Sequence, residues 1–365
     1  MCVPALGVQD DLKGLVLAGG HGTRLRPLTY GFAKQLIPVA NKPVLFYALE
    51  DLQKSGITDV VLNVAPHSKD DVIAAVGNGA KFGIKVRYSL QESPLGIAHA
   101  VKNAETLIGD EPFVVYLGDN ILKDGIERYV RRFLDSKLDA LALVSKVEHP
   151  ERFGTVEVAG DRVVKLVEKP KVPTSNLAMV GVYILRPSVF ESVRRLKPSW
   201  RGELEIVDAY QDMVDRGMRV EAAEIEGWWA DTGSTEDLLT ANKLVLDQLD
   251  GKQQRSSGSS GVEGAVSIGK GTQIGRNTTI KGPVIIGDSS VIGPDTHLGP
   301  YSSIGNNVEI LSTEVENSII MDGTKIHGAG RITDSLIGRD VQIRGITPTR
   351  SGRKFVLGQR SLIQL

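Results

Sequence analysis

Two rhythms of apolar residues divide the chain. Up to about residue 250, short apolar runs rich in β-branched residues alternate with stretches of helical periodicity. The runs predict strands at Lys13 to Ala18, Asp59 to Val64, Ile84 to Tyr88, Phe113 to Leu117 and Ala140 to Ser145. Helices fit between them, around Val44 to Lys54, Lys69 to Val76, Ile97 to Ile108 and Gly125 to Leu134. Alternation of this kind, with almost continuously apolar strands, predicts an α/β fold: a doubly wound, mostly parallel sheet covered on both faces. Ligands then belong at the carboxyl ends of the strands.

Further on the period becomes six. Ile268, Ile274, Ile280, Ile286, Ile292, Leu298, Ile304 and Ile310 keep strict register, and six of these eight are followed by glycine. After a four-residue slip the rhythm resumes at Ile320, Ile326 and Ile332, then less regularly at Ile337 and Ile343. One inward aliphatic per hexapeptide, with small or turn-forming residues between, predicts a parallel β-helix whose inward side chains stack into a continuous core. The Gln-, Ser- and Gly-rich stretch separating the two rhythms has the composition of a flexible linker. The expected organisation is therefore a domain over 12–250, a linker over 251–264 and a β-helix domain with its tail over 265–365. The tail from Arg350 to Leu365, basic and then apolar, is expected to cover the last coil. Exposed coil edges predict a homo-oligomer.

The first strand runs into Leu17-Ala18-Gly19-Gly20-His21-Gly22-Thr23-Arg24-Leu25-Arg26-Pro27-Leu28-Thr29. Gly19, Gly20 and Gly22 let the backbone turn in ways closed to other residues and press N–H groups against a ligand. Arg24 adds a forked, permanently charged donor suited to phosphate oxygens. Lys34, in Ala33-Lys34-Gln35-Leu36-Ile37-Pro38, brings a second cation to the same connection. A P-loop would need Lys-Ser or Lys-Thr after its last glycine, and a dinucleotide fingerprint would need GxGxxG opening a helix. Neither pattern fits. Pro27 would interrupt a helix begun at the loop, so irregular structure around a polyphosphate is expected.

These residues resemble the sugar-1-phosphate nucleotidylyltransferases, whose opening signature is GGxGTRLxPLT followed by KxxxP. Further matches lie at Gln91-Glu92-Ser93-Pro94-Leu95-Gly96, Leu117-Gly118-Asp119-Asn120, Arg152-Phe153-Gly154, Glu168-Lys169-Pro170, Arg201-Gly202-Glu203-Leu204-Glu205-Ile206 and Trp229-Ala230-Asp231-Thr232-Gly233. The resemblance spans about Leu12 to Leu249. Within the family the chain is most similar to the long-form glucose-1-phosphate thymidylyltransferases, and by resemblance to hexapeptide-repeat proteins the β-helix would be left-handed with three hexapeptides per turn. The chain departs from the family's pattern at Leu95, where Asp is common, and at His99, where Gln is.

The resemblance implies transfer of a nucleotidyl group from dTTP to glucose 1-phosphate, giving dTDP-glucose and pyrophosphate with Mg2+ as cofactor. A sugar phosphate is already an anion, so its oxygen can attack the α-phosphorus without a protein nucleophile, and positioning and charge neutralisation carry the catalysis. Arg24, Lys34 and Lys169 are the expected catalytic cations. Leu17, Gly19, Gly20, Gly22, Thr23, Gln91, Gly96 and Asp119 are expected at the nucleotide, with Gln91 facing the pyrimidine edge. Gly154, Glu168 and Lys169 are expected at the sugar, and Asp119 with Asp231 at the metal, which is commonly held by one or two carboxylates plus phosphates. Alternatives are a UTP-dependent uridylyltransferase with acetyltransferase activity in the β-helix, using His297 or His327, and a non-catalytic regulatory subunit. The presence of every charged site residue weighs against the last.

Composition narrows the picture further. At 365 residues two domains are expected. Forty-three Lys and Arg against 44 acids leave a net charge of −1, so no global basic field invites nucleic acid and any anion site is local. Cys2 is the single cysteine, which excludes an intrachain disulfide and a cysteine zinc cluster and fits a reducing compartment. Met1 to Asp11 lacks the basic start of a signal peptide, and no apolar run approaches a membrane span, so a cytoplasmic protein free of the membrane is expected.

Overall fold

A computed structural model describes residues 12–249, 261–345 and 352–365. They gather into two units, one holding 12–20 and 45–229, the other holding 21–44, 230–249 and the described residues from 261 onward. Cys2 and residues 251–260 of the expected linker lie outside the described residues.

The first unit is built on nine strands: β1 (Lys13–Ala18), β2 (Asp59–Val64), β3 (Lys85–Leu90), β4 (Phe113–Leu117), β5 (Ala140–Lys146), β6 (Gly154–Ala159), β7 (Arg162–Glu168), β8 (Leu177–Leu185) and β9 (Val220–Glu224). Their order is β3-β2-β1-β4-β8-β5-β9-β7-β6. The helices are α1 (Val44–Lys54), α2 (Lys69–Val76), α3 (Ile97–Ile108), α4 (Glu127–Ser136), α5 (Val189–Arg195) and α6 (Ile206–Asp215). Neighbouring strand residues point to opposite faces, and Leu15 and Val16 are both fully buried, so the sheet is covered on both sides. One face carries the main core, where Val101 and Ile108 of α3, Phe190 of α5 and Tyr210 of α6 pack with Leu15, Phe113 and Val115. On β1, a Cβ at Gly14 would lie 2.9 Å from Leu52 Cδ1 of α1, so glycine there lets that helix approach the strand closely.

The expectation of a mostly parallel sheet is corrected. Four neighbouring pairs are parallel, β3–β2, β2–β1, β1–β4 and β9–β5. Four are antiparallel, β4–β8, β8–β5, β9–β7 and β7–β6. Within the antiparallel half, β6 and β7 are joined through Gly160 and Asp161, with Gly160 at φ 65°, a connection too short for a crossover helix. The parallel half retains the doubly wound feature that matters for a site. Consecutive βα units diverge between β1 and β4, and Gly19 and Asp119 follow those two strands, where Gly118 N–H donates to the Leu17 carbonyl at 2.9 Å.

The second unit contains α7 (Thr235–Leu246) and the C-terminal strands. Ser234 caps α7, its hydroxyl accepting from the Asp237 N–H. The C-terminal strands form two parallel sheets, and their register matches the period: Ile268 pairs with Ile286 and that with Ile304, each step three hexapeptides long. Ile274, Ile292 and Ile310 form a second ladder. Past the slip, Ile320 pairs back to Ile304 and Ile326 to Ile310, and the register with the next coil shifts between Leu311 and Thr313. Val262–Glu263, assigned to the linker by composition, form the first of these strands, because Val262 stands in register with Ile280. The tail does not lie across the stack as a cover: Val356–Leu357 and Leu362–Gln364 pair in parallel with Leu336–Ile337 and Gln342–Arg344 and continue the same ladders. Among the described residues no helix is long and apolar enough to cross a membrane.

Candidate active site

In the first unit the glycine loop meets the expected base-recognition residues. A Cβ on Gly19 would lie 3.3 Å from Gln91 Oε1, and Gln91 is almost wholly buried. Its Nε2 donates to the Gly96 carbonyl at 3.3 Å and lies 3.2 Å from His99 Nδ1. Burial, and then Lys102, lower the His99 pKa, which favours the neutral ring that can accept this bond. Both Gln91 N–H groups are thereby used, and the carbonyl oxygen is turned toward Gly19. Gly96 has a packing reason for being glycine: at φ 102° its Cβ would come 2.4 Å from the Leu204 carbonyl oxygen, where Ala98 N–H bonds to Leu204 O and Leu204 N–H to Leu95 O. Leu17 contributes backbone to β1 and packs partly into the core.

Asp119 is held by its neighbour, Asn120 Nδ2 donating to its Oδ1 at 3.0 Å. Asn120 in turn accepts from Trp229 Nε1–H at 2.6 Å, and a Cβ at Gly181 would clash with it at 2.4 Å. Trp229 stands edge-on to Phe153, 5.3 Å between centroids. Asn120 was not singled out from sequence; its position after Asp119 was the available signal.

Gly154 and Glu168 face each other across the β6–β7 pair. A Cβ at Gly154 would press Val207 Cγ2 at 2.5 Å and Glu168 Oε2 at 3.1 Å. Lys169 Nζ lies 3.6 Å from Glu168 Oε1, and its backbone adopts φ 41°, a strained value for a side-chain-bearing residue. Sequence reasoning quoted Arg201 but gave it no role. Arg201 Nη1 donates to Glu168 Oε1 at 3.1 Å and its Nη2 to Glu203 Oε1 at 2.8 Å, so the guanidinium holds Glu168 by the same oxygen that Lys169 approaches. Burial raises the Glu168 pKa, with Glu205 adding to the rise and Lys169 and Arg201 opposing it.

In the second unit the segment after Gly20 forms three short 3₁₀ turns, Thr23–Leu25, Leu28–Tyr30 and Lys34–Leu36, as Pro27 predicted. Gly22 is left-handed at φ 60°, and its Cβ would lie 2.9 Å from both Lys34 Cβ and Thr29 Cγ2. Lys34 is thus packed onto the loop it was expected to serve. Thr29 Oγ1 donates to the Gly22 carbonyl at 2.8 Å. Arg24 is exposed and lies over Gly233, whose Cβ would be 2.9 Å from Arg24 Nη2 and 3.4 Å from Asp231 Oδ1. Thr23 opens the first turn and is exposed.

Among the described residues no group of three or more His, Cys, Asp or Glu is gathered as a metal cage. Asp119 stands in the first unit and Asp231 in the second, and each offers carboxylate oxygen, the donor type that magnesium takes rather than the nitrogen and sulfur of zinc sites. His297 stands in a ladder with Thr279 and Glu314, and His327 Nε2 lies 3.0 Å from Glu309 Oε1.

Residues 13–248 match the family model for nucleotidyl transferase, and residues 280–363 match the model for the GMPPB C-terminal domain. A glucose-1-phosphate thymidylyltransferase of Streptomyces antibioticus is 46% identical over 97% of this chain and 99% of its own length. A low-salt glycan biosynthesis nucleotidyltransferase of Haloferax volcanii is 43% identical over 97% of this chain and all of its own. A Bacillus anthracis protein assigned as a glucose-1-phosphate thymidylyltransferase, crystallised with sucrose, superposes with a TM-score of 0.61 at 39% identity, covering 64% of this chain and 94% of the other. With the family model matched over most of its length, and with relatives of this identity, the chain belongs to the nucleotidyl transferase family.

Proposed function

We propose that the protein transfers a thymidylyl group from dTTP to glucose 1-phosphate. An oxygen of the sugar phosphate bonds to the α-phosphorus of dTTP, the bond from that phosphorus to the β-bridging oxygen breaks, and pyrophosphate leaves with the electron pair. Arg24 and Lys34 neutralise charge on the departing pyrophosphate, while Lys169 holds the sugar phosphate. Gly19, Gly20 and Gly22 supply backbone close to the triphosphate, with Thr23 at the start of the following turn. Glu168 accepts hydrogen bonds from sugar hydroxyls, and Gly154, lacking a side chain, lets Glu168 and Val207 pack against its backbone beside the sugar. Asp119 and Asp231 would hold magnesium, which when bound adds charge neutralisation at the phosphates. The C-terminal strands are read as a left-handed β-helix.

The observation that carries the nucleotide assignment is the fixed amide of Gln91. Its carbonyl oxygen, turned toward Gly19 with both N–H groups occupied, is an acceptor for the N3–H of thymine or uracil. Cytosine lacks that proton. The 5-methyl group separates thymine from uracil by roughly 1–3 kcal/mol, so dTTP preference over UTP is partial. Pyrophosphate release with dTTP, UTP or dCTP against glucose, galactose and glucosamine 1-phosphates tests the reading. Turnover should be fastest with dTTP and glucose 1-phosphate, and a preference for UTP would move the enzyme to the sister specificity. Gln91→Ala should narrow the dTTP/dCTP ratio by about tenfold while leaving dTTP/UTP nearly unchanged. An unchanged dTTP/dCTP ratio removes Gln91 from the base site.

The sugar side makes a pH prediction. An ionised carboxylate accepts from hydroxyls more strongly than the protonated acid, so KM for the sugar phosphate should rise as pH falls through the Glu168 pKa. Because burial lifts that pKa, the rise begins above the ordinary glutamate range, at about tenfold per pH unit once protonation dominates. Arg201→Ala removes one of the two cations opposing burial and should shift this limb to higher pH. A limb that stays in place separates Arg201 from Glu168.

A further inference from the structure

The second unit contains a buried polar junction that none of these roles uses. Asn242 of α7 is fully buried. Its Oδ1 accepts from the Ala40 N–H at 2.9 Å and from Ser303 Oγ at 2.7 Å, and its Nδ2 donates to the Tyr301 carbonyl at 3.0 Å. One side chain thereby ties three pieces of chain together: the helix that follows Asp231-Thr232-Gly233, the hairpin turn that follows Lys34, and the C-terminal strands. That hairpin joins Pro38–Val39 to Lys42–Pro43 through Ala40 and Asn41, both left-handed at φ 48° and 60°. Asn41 Nδ2 donates to the Ile304 carbonyl at 2.5 Å.

A second anchor grips the same segment upstream. Gln359 Nε2 donates to the Gly31 carbonyl at 3.1 Å, and the Arg339 guanidinium stands 4.4 Å from the Phe32 ring centroid. A Cβ at Gly358 would lie 3.0 Å from the Pro27 carbonyl oxygen, so the backbones themselves approach closely. Lys34 lies between the two anchors, and Thr29 ties Gly22 to the same stretch. Three isolated 3₁₀ turns carry few hydrogen bonds of their own, so their geometry depends on what they are fastened to. Apolar packing alone would let such a segment slide, whereas a buried amide with three hydrogen bonds fixes one arrangement.

We propose that Asn242, Asn41 and Gln359 are positioning residues, through which the C-terminal repeats hold the 21–44 segment in the conformation that presents Arg24 and Lys34 to the triphosphate. What is presented rests on the nucleotidyl-transfer reading; the hold itself does not.

Asn242→Ala removes three hydrogen bonds at a fully buried side chain and can fail by unfolding, so the deciding variants are Asn41→Gly, which keeps the left-handed turn, and Gln359→Ala at the exposed end. Hydrogen exchange of residues 21–37 and steady-state kinetics are measured on the full-length chain, with Tm as control. The double variant should exchange this segment at least tenfold faster, lose about tenfold in kcat and keep KM for the sugar phosphate within twofold, at unchanged Tm. Gln359→Lys, which retains an N–H donor of similar reach, should recover the single-variant loss. Unchanged exchange overturns the proposal, and so does faster exchange with undiminished kcat. If the unaltered chain releases no pyrophosphate with any substrate pair, the nucleotidyl-transfer reading fails, while exchange still decides whether the repeats hold the segment.

Discussion

Arg24→Ala is expected to lower kcat by about 10²–10³-fold, the loss typical of removing one donor aimed at charge that develops in the transition state. Arg24 is solvent-exposed, so Tm should move by no more than about 2 °C. Arg24→Lys should recover only part of the rate, because a point charge cannot reproduce the forked donor. Gly233→Ala gives an independent check. Its new methyl would sit 2.9 Å from Arg24 Nη2 and 3.3 Å from Cζ, displacing the guanidinium while keeping its charge. A substantial fall in kcat from Gly233→Ala, with triphosphate KM changed less than kcat, marks a requirement for placement rather than for net charge. Wild-type rates in both Arg24→Ala and Gly233→Ala would remove Arg24 from the chemistry.

The glycine loop and the parallel strands were legible because their signals are local. Gly22 must be glycine for its own φ and for the stem of Lys34, and both causes lie within 12 residues. The strand β1 and the helices α1, α2 and α3 fall where periodicity put them, since each buries an uninterrupted apolar stripe. The antiparallel half of the sheet was harder to read. Strand β7 alternates weakly, and β8 is a continuous apolar run of nine residues that periodicity alone cannot separate from a buried helix. Arg201 and Asn242 went unassigned for a different reason. Their partners Glu168, Ala40 and Ser303 lie 33 to 202 residues away, and no spacing rule reaches that far. His99 carried a visible clue as a departure from the family's pattern, but only its geometry against Gln91 gives the departure a meaning: a half-buried imidazole in its neutral form can accept the amide proton that orients the base reader.

Asp119→Asn and Asp231→Asn are expected to reduce kcat by about 10²–10³-fold each, with the fold intact and KM for the sugar phosphate nearly unchanged. Amide for carboxylate is isosteric, so packing is preserved while a negative charge is lost where magnesium would be held. Each aspartate also has a local role that could mimic this result. Asp119 Oδ1 accepts from Asn120 Nδ2, and Asp231 lies beside Arg24 at Gly233, so either change could disturb a neighbour instead of a metal. Magnesium titration separates the two causes. Loss of a ligand should raise the magnesium concentration needed for half-maximal rate by tenfold or more, whereas loss of a structural hydrogen bond should lower the plateau and leave that concentration where it was. Asn120→Ala completes the comparison, because it releases Asp119 and Trp229 without removing a carboxylate: its magnesium midpoint should stay at the wild-type value. Normal turnover in both aspartate variants, or an unshifted midpoint in both, would sink the metal assignment and leave Arg24, Lys34 and Lys169 as the whole of the charge-neutralising machinery.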